Sequence, residues 1–530
     1  MTASIRIPPP TIARVALVCA LTGTAAAAVA CAKGGSGTSA AHEARPNIVV
    51  VQTDDQTLAT LSEPHVMPFT HHLIAEHGTA FSDYVVTTPA CCPSRSSLLT
   101  GQYAHNHGVT SNRPGYPSLR HKHDVLPVWL QRAGYRTAHL GKFPNGWNRS
   151  IPITAIPPGW DYWYTLIKPY HYYDYRVADN GRVRRFGLRP RDYVTTRLNR
   201  AAAGFVKQAA PGPKPFFLEL DEFAPHGEGE DRSLPCGDTA VPAPRDVGRF
   251  DDVPVPRPPS FNEADISDKP SFISDLPRLG RHATHSVRNS YDCRLAALRS
   301  VDRGVKGLAG ALAEDHELAN TVFVITSDNG YFFGEHRLPK GKDLAYEEGI
   351  RVPFSIRLPR AVRGADVAAT VSQPTANIDI APTLLELAGA QPCASPTRCR
   401  VLDGRSLVGL ATGSQDGWPA DRALALEFDA HHNAPTRSAS CEFHGVRTAD
   451  HEVYIEHDSA TTGSGGCLAT GEAENYDLAT DPYELHNLWP PRTQADQAHQ
   501  DELSALTARL ADCAGIAGRD PLPPSGHYCQ

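Results

Sequence analysis

The chain carries little charge of one sign. Lysine and arginine number 51 against 58 aspartates and glutamates, a formal charge of −7 over 530 residues. Nothing therefore draws the protein as a whole to nucleic acid or another polyanion. Methionine occurs only 2 times, against Pro 45 and Gly 42, which speaks against a helical bundle and for a loop-rich α/β or α+β body. No run beyond residue 30 approaches the ~20 apolar residues of a membrane helix. No CxxC pair or Cys/His cluster has zinc spacing, which sets a zinc module aside, and no internal repeat is visible. A hydrophobic fraction of 41% with 21% charged residues excludes disordered and fibrous classes.

What is present begins with a leader. Arg6 and Arg14 precede an Ala-rich apolar run, Val15 to Ala30, too short and small-residued for a span and suited to an export signal. It ends in Ala28-Val29-Ala30-Cys31, followed by the flexible Lys33-Gly34-Gly35-Ser36-Gly37. Two readings stand: a lipid anchor at Cys31 or simple secretion. Either way we expect an exported protein, secreted or a cell-surface lipoprotein of a bacterium. Of the 12 cysteines, Cys19 and Cys31 belong to the leader and Cys91-Cys92 to a motif treated below. The remaining eight suit disulfides in an oxidising compartment. Neighbour pairing (236–293, 393–399, 441–467, 513–529) is one of about a hundred connectivities eight cysteines allow.

Three β-branched or aromatic runs read as buried strands, and each stops at ionisable residues. Asn47 to Val51 leads to Asp54-Asp55, Phe216 to Leu220 to Ala224-Pro225-His226, and Thr321 to Ile325 to Asp328-Asn329-Gly330. In open α/β sheets ligands bind at the carboxyl ends of strands. Leu295, Leu298, Val301, Val305, Leu308 and Leu312 have helical spacing and predict a covering helix over 289–312. Residues 227–285 are Pro-rich and irregular, expected as a surface insertion over the pocket. A strand-rich segment to Leu478 and a helix over about 498–513 follow. The expected division is a leader, 1–31; a linker, 32–45; a catalytic domain, 46–395; and a smaller C-terminal α+β subdomain, 396–530.

The strongest chemical pattern is Pro89-Ala90-Cys91-Cys92-Pro93-Ser94-Arg95. Pro93 fits the first turn of a helix, which puts Cys91 at a helix N-terminus, where backbone N–H groups favour negative charge. Arg95, one turn in, is expected to offer a fixed positive charge to an anion. Asp54, Asp55, Asp328 and Asn329 are hard oxygen donors suited to Ca²⁺ or Mg²⁺; a lone Asp-Asp pair after a strand is otherwise a turn or cap.

Here the chain resembles the sulfatase family, whose C-x-P-S-R cysteine is oxidised to formylglycine. The resemblance runs from about Pro46 to Leu488, with Tyr476-Asp477-Leu478 like the family's C-terminal signature. It implies an alkaline-phosphatase-like α/β fold, a central mixed sheet flanked by helices. It implies Cys91 as formylglycine, made by a formylglycine-generating enzyme, and one Ca²⁺ (Mg²⁺ the alternative) on Asp54, Asp55, Asp328, Asn329 and the oxygen at position 91. Gly141-Lys142 resembles the family's lysine beside the nucleophile, Pro225-His226 its substrate-side histidine, and Lys342-Asp343-Leu344-Ala345-Tyr346-Glu347 its K-x-x-x-Y-E, placing Lys342 at the leaving oxygen; Lys340 reads as a surface charge. Cys91-Cys92, Tyr103-Ala104-His105-Asn106-His107 and Gly141-Lys142-Phe143-Pro144-Asn145 look like N-acetylglucosamine-6-sulfatases and heparan endosulfatases. Pro144 stands where many arylsulfatases have histidine, leaving His105, His107 and Asn145 as candidates for the base that expels sulfate. The implied reaction is hydrolysis of a sulfated sugar or aryl sulfate. A phosphonate monoester or phosphodiester hydrolase and an inactive sulfated-glycan-binding lipoprotein are the alternatives.

Overall fold

The computed structural model describes residues 45–530, apart from residue 64 and residues 229–235, 237–238, 365–368, 430–439 and 462–466. The leader, Cys31 and the Gly-rich linker lie outside the described residues. Ten strands form the main sheet: β1 (Asn47–Thr53), β2 (Thr79–Phe81), β3 (Arg136–Gly141), β4 (Tyr162–Ile167), β5 (Arg176–Asp179), β6 (Arg182–Arg185), β7 (Phe216–Asp221), β8 (Thr321–Ser327), β9 (Phe354–Arg357) and β10 (Thr370–Val371). Their order in space is β10-β2-β9-β8-β1-β7-β3-β4-β5-β6. The centre is parallel: Val49 of β1 stands opposite Leu218 of β7 and Phe323 of β8, and β3 pairs parallel with β7 and β4. The antiparallel strands β9, β5 and β6 make the sheet mixed.

The period of two along β1 explains its burial on both faces. Ile48 and Val50 join one apolar core, Val49 and Val51 the other. The covering helices are α1 (Cys91–Thr100), α2 (Leu126–Arg132), α3 (Val194–Ala209), α4 (Arg281–Glu314), α5 (Ile380–Ala388) and α6 (Gln494–Ala511). Helices α1, α2 and α5 send Leu98, Trp129 and Leu384 into the first core; α3 and α4 send Leu198, Phe205, Leu298 and Val305 into the second. All six apolar residues read from the sequence of α4 are buried. At ~1.5–3 kcal/mol each, their transfer from water contributes about 9–18 kcal/mol, an upper bound. The helix itself is longer than its apolar stripe.

A second sheet is antiparallel: β11 (Leu424–Asp429), β12 (Ser440–Arg447), β13 (Glu452–Thr461) and β14 (Cys467–Asp477). Helix α6 starts at 494, earlier than its apolar residues announce. Thr493 Oγ1 accepts from the Asp496 N–H at 3.1 Å, and Asp496 accepts from the Thr493 N–H at 2.9 Å, a reciprocal cap.

All four neighbour pairings are disulfides: Cys236–Cys293, Cys393–Cys399, Cys441–Cys467 and Cys513–Cys529. The described residues of 227–280 are irregular as expected, apart from one helical turn at Ser271–Ser274, but not superficial. Ala240, Val241, Phe250, Ile266 and Phe272 are buried, because a Pro-rich chain without ladders still gains by burying its apolar side chains. Among the described residues, no helix is long and apolar enough to cross a membrane.

Candidate active site

Four polar segments meet at the carboxyl ends of the central parallel strands. Strand β1 delivers Asp54 and Asp55, β8 delivers Asp328 and Asn329, β3 delivers Lys142, and β7 ends in Asp221 before the loop to His226. Backbone bonds lock the first ones: Asp328 N–H to Thr53 O at 3.1 Å, Lys142 N–H to Asp221 O at 2.8 Å, and Asp54 N–H to Ala224 O at 3.2 Å. Gly141 is required here. Its φ is +111°, and a Cβ would stand 1.8 Å from the Asp221 carbonyl oxygen. Asp55 adopts φ 65°, a left-handed turn that aspartate tolerates better than most residues.

Cys91 is the first residue of α1 and 3% exposed. Its Sγ lies 2.8 Å from Lys342 Nζ, 3.4 Å from Lys142 Nζ and 3.6 Å from Asp54 Oδ1. Lys142 also pairs with Asp54, and Lys342 with Asp55. Asn329 Nδ2 donates to Asp55 at 2.7 Å, and the Asp55 N–H donates to Asp328 at 3.1 Å. The structure thus brings Asp54, Asp55, Cys91, Lys142, Asp328, Asn329 and Lys342 together, with His226 Nε2 3.8 Å from Asp55. Side-chain exposure rises from 1% at Arg95 and 3% at Lys142 to 12% at Lys342 and 30% at His226, so the pocket opens on the His226 side.

Burial, then Asp328 and Asp54, push the Cys91 thiol well above its ordinary value, against the opposing lysines. An unmodified thiol here stays protonated and is a weak nucleophile. Burial pushes Asp55 up, but Lys342, His226, Arg294 and Lys142 outweigh it and hold the carboxyl ionised. Desolvation and neighbouring Lys142 and Lys342 lower His226 to about 3, keeping it neutral, while carboxylates hold Lys342 cationic despite its burial.

Two expectations are corrected. Arg95 has no donor to spare for a substrate anion. It bonds Asp328 at 2.9 Å, Asp54 at 3.3 Å, Asp221 at 3.1 Å and the Lys142 carbonyl at 3.0 Å. It is a positioning residue, because three acids compete for one planar fork. The histidines proposed as bases are engaged elsewhere: His105 by Glu427 at 2.9 Å and the Cys513 carbonyl at 2.9 Å, His107 by Ser97 at 3.1 Å. For Asn145 it is the backbone that is engaged, its N–H donating to Cys92 Sγ at 2.7 Å, while its side-chain Oδ1 is buried and makes no hydrogen bond.

Sequence reasoning missed Arg294 and Asp221. Arg294, 2% exposed, donates to the Asp55 carbonyl at 3.3 Å and stacks on Tyr331 at 3.6 Å. A charged residue at an inward helical position of α4 was its available signal. Asp221 ends a buried strand and bonds His139 at 3.1 Å, and its position after Leu220 was legible in the same way as Asp54.

The donor set fits a hard divalent cation. Carboxylate oxygens of Asp54 and Asp55, Cys91 Sγ and a ring nitrogen of His226 lie within 4.8 Å of one another, and ammonium groups are already drawn among those oxygens. Asp328 lies one step away, turned to Arg95 and the Asp55 N–H.

The chain also matches known proteins in sequence and in fold. Residues 46–390 match the family described as Sulfatase, and residues 334–513 match N-sulphoglucosamine sulphohydrolase, C-terminal. The chain is 34% identical to an arylsulfatase of Volvox carteri, covering 92% of this chain and 78% of that one. It is 31% identical to an N-acetylglucosamine-6-sulfatase of Homo sapiens, covering 91% and 87%. A structure solved with its substrate D-glucosamine-2-N,6-O-disulfate superposes with TM-score 0.66 at 24% identity, covering 88% of this chain and 97% of that one. These relatives also correct the expected source. The alga and the mammal above, with Chlamydomonas reinhardtii and Drosophila melanogaster, are eukaryotes, which overturns the bacterial cell-surface lipoprotein. An Ala-rich leader ending in cysteine was too little to carry that assignment.

Proposed function

The chain belongs to the sulfatase family and hydrolyses sulfate esters, and from that premise we propose that Cys91, oxidised to formylglycine, supplies the nucleophile. The observation that carries this reading is the setting of Cys91: buried, at a helix start, between two ammonium groups, with its thiol held protonated. When oxidised, position 91 supplies a hydrated aldehyde that can take sulfate and release it by elimination, which a thiol or a serine cannot do. A formylglycine-generating enzyme is the maturation partner.

Asp54, Asp55, Asp328 and Asn329 would hold one Ca²⁺ or Mg²⁺, which supplies charge neutralisation on the sulfate oxygens. The chain's own residues do the rest. Arg95 fixes Asp54, Asp221 and Asp328 in register. Lys142, at the closed end, offsets charge on the anion. Lys342, cationic and nearer the opening, donates a proton to the departing alcohol. His226, neutral and the most exposed member, lines the entry for that alcohol.

By formal charge, four carboxyl side chains (Asp54, Asp55, Asp221, Asp328) match four basic ones (Arg95, Lys142, Lys342, Arg294) that face them. A bound dication would leave the centre with surplus positive charge, which an anionic ester completes. For substrate we propose a 6-O-sulfated amino sugar, supported by the named activities of the human relative and by the ligand of the superposed structure.

Peptide mass spectrometry across Cys91, on protein co-expressed with a formylglycine-generating enzyme, tests the nucleophile. A loss of about 18 Da at Cys91, with Cys92 unchanged, is expected for conversion of a thiol to an aldehyde. A persistent thiol, with glycan binding that survives Cys91→Ala, would instead make the protein a binder. Higher kcat/KM on N-acetylglucosamine-6-sulfate than on 4-nitrophenyl sulfate supports the sugar; faster turnover of a phosphonate monoester overturns the substrate assignment.

A further inference from the structure

Away from the reaction centre, three side chains aim donors at one another. A ring nitrogen of His336 and carboxylate oxygens of Glu348 and Glu484 lie within 4.8 Å of one another. His336 is 0% and Glu484 1% exposed, and His336 Nε2, Glu348 Oε2 and Glu484 Oε1 make no hydrogen bond. His336 Nε2 and Glu348 Oε2 are 3.7 Å apart, beyond hydrogen-bond reach. Each group is held from its other side. Glu263 meets His336 Nδ1 at 2.8 Å, Ser260 Oγ donates to Glu348 Oε1 at 3.3 Å, and the Glu347 N–H donates to Glu484 Oε2 at 2.9 Å. Tyr346 stacks on the His336 ring at 4.2 Å, fixing its plane.

We propose that His336, Glu348 and Glu484 form a second cation site, distinct from the reaction centre, that takes a zinc-class divalent ion. The Glu263–His336 bond is the carboxylate–histidine relay that orients metal-binding imidazoles and directs the Nε2 lone pair outward. Tetrahedral bonds of about 2.0–2.1 Å place donors roughly 3.3 Å apart, against 3.7 Å between His336 Nε2 and Glu348 Oε2. One imidazole nitrogen with two carboxylates suits Zn²⁺ or Co²⁺ better than the all-oxygen shells of Ca²⁺. The buried Glu484 and the 20% exposed Glu348 each keep one covered, unpartnered oxygen, which is costly, and a dication relieves both. Access comes from the surface: Glu348 lines a cavity of about 550 Å³ together with Pro482 and Tyr483. The role is mechanical. His336 and Glu348 bracket Lys342 in the sequence, and Glu484 follows β14, so one ion fastens both ends of the Lys342 segment to the C-terminal part of the chain.

The competing arrangement is an imidazolium at His336 shared by the two glutamates without metal. Chelator-treated, matured full-length enzyme is brought to saturating Ca²⁺, to fill the oxygen-donor centre, and titrated with Co²⁺. One further equivalent should bind with the visible absorption of a four-coordinate nitrogen–oxygen site, and His336→Gln or Glu484→Gln should weaken it at least about 100-fold. Crystals of the unmutated enzyme soaked in Co²⁺ should show an anomalous peak among the three side chains, a readout that holds even where the variants do not fold. No Co²⁺ retained by the Ca²⁺-saturated enzyme, equal retention by folded Glu484→Gln, or no anomalous peak overturns the site.

Discussion

Replacing Arg95 by methionine removes the charge that holds the centre in register while keeping much of the side-chain volume. Arg95 is 1% exposed and faces Asp54, Asp221 and Asp328, all at 1% exposure or less. Breaking a buried ion pair by deleting one partner costs about 3–5 kcal/mol. Three acids share this guanidinium, so the expected loss is near ~5 kcal/mol, the upper end of that range. Unfolding entropy of roughly 2.1 cal/mol/K per residue, over the about 460 described residues, is about 1 kcal/mol/K, which makes the shift ~5 °C in melting temperature. Arg95→Lys keeps one charge but not the fork and should lose about half as much. Asp54 and Asp328 are also proposed cation ligands, so added Ca²⁺ should raise the melting temperature of Arg95→Met more than that of the unmutated enzyme. Differential scanning calorimetry in chelator and in Ca²⁺ measures both effects. A methionine variant melting within 1 °C of the parent in chelator, where about 5 °C is expected, would refute the positioning argument.

Lys342→Gln should lower kcat about 10²–10⁴-fold on a sugar sulfate, whose alcohol leaves poorly without a proton. The same change should cost under about tenfold on 4-nitrophenyl sulfate, whose leaving group needs no such help; equal losses on both substrates would remove Lys342 from the acid role. His105 gives a stability test away from the centre. Burial opposes its imidazolium, but Glu427 and the Cys513 carbonyl outweigh that and raise it to about 9. A raised folded value means the contribution, about 3 kcal/mol at most, is full below pH 6.5 and lost as pH rises through 9. The melting-temperature gap between the parent and His105→Gln should therefore be wide at pH 6 and closed by about pH 10; a constant gap would show that packing, not charge, is what His105 supplies.

Much of this was legible because chemistry and fold share signals. Runs such as Asn47 to Val51 announce a strand buried on both faces, and the polar residues that end them are where the sheet presents its groups. The Cys91 motif combined a helix start with an arginine one turn on, so its position could be read, although the saturation of Arg95 by three acids could not. That depends on Asp221 and Asp328 arriving from strands more than a hundred residues apart. Arg294 hides in α4 as one charge among many, distinguished only by facing inward. The meeting of Glu263, His336, Glu348 and Glu484 rests on loop closures with no periodicity at all. The stretch 227–285 was misread as superficial for the same reason.

The burial of Cys91 has a consequence for timing. At 3% exposure, with Lys142 and Lys342 closed over the sulfur, no second protein can grip the Cys91 segment once α1 has packed against the sheet. The oxidation proposed for that residue would then have to come before the domain closes, while the segment is still extended. A chain that folds faster than it is modified would be well packed and permanently inert. Yield of active enzyme is then set by a race between two rates rather than by the stability of the finished molecule.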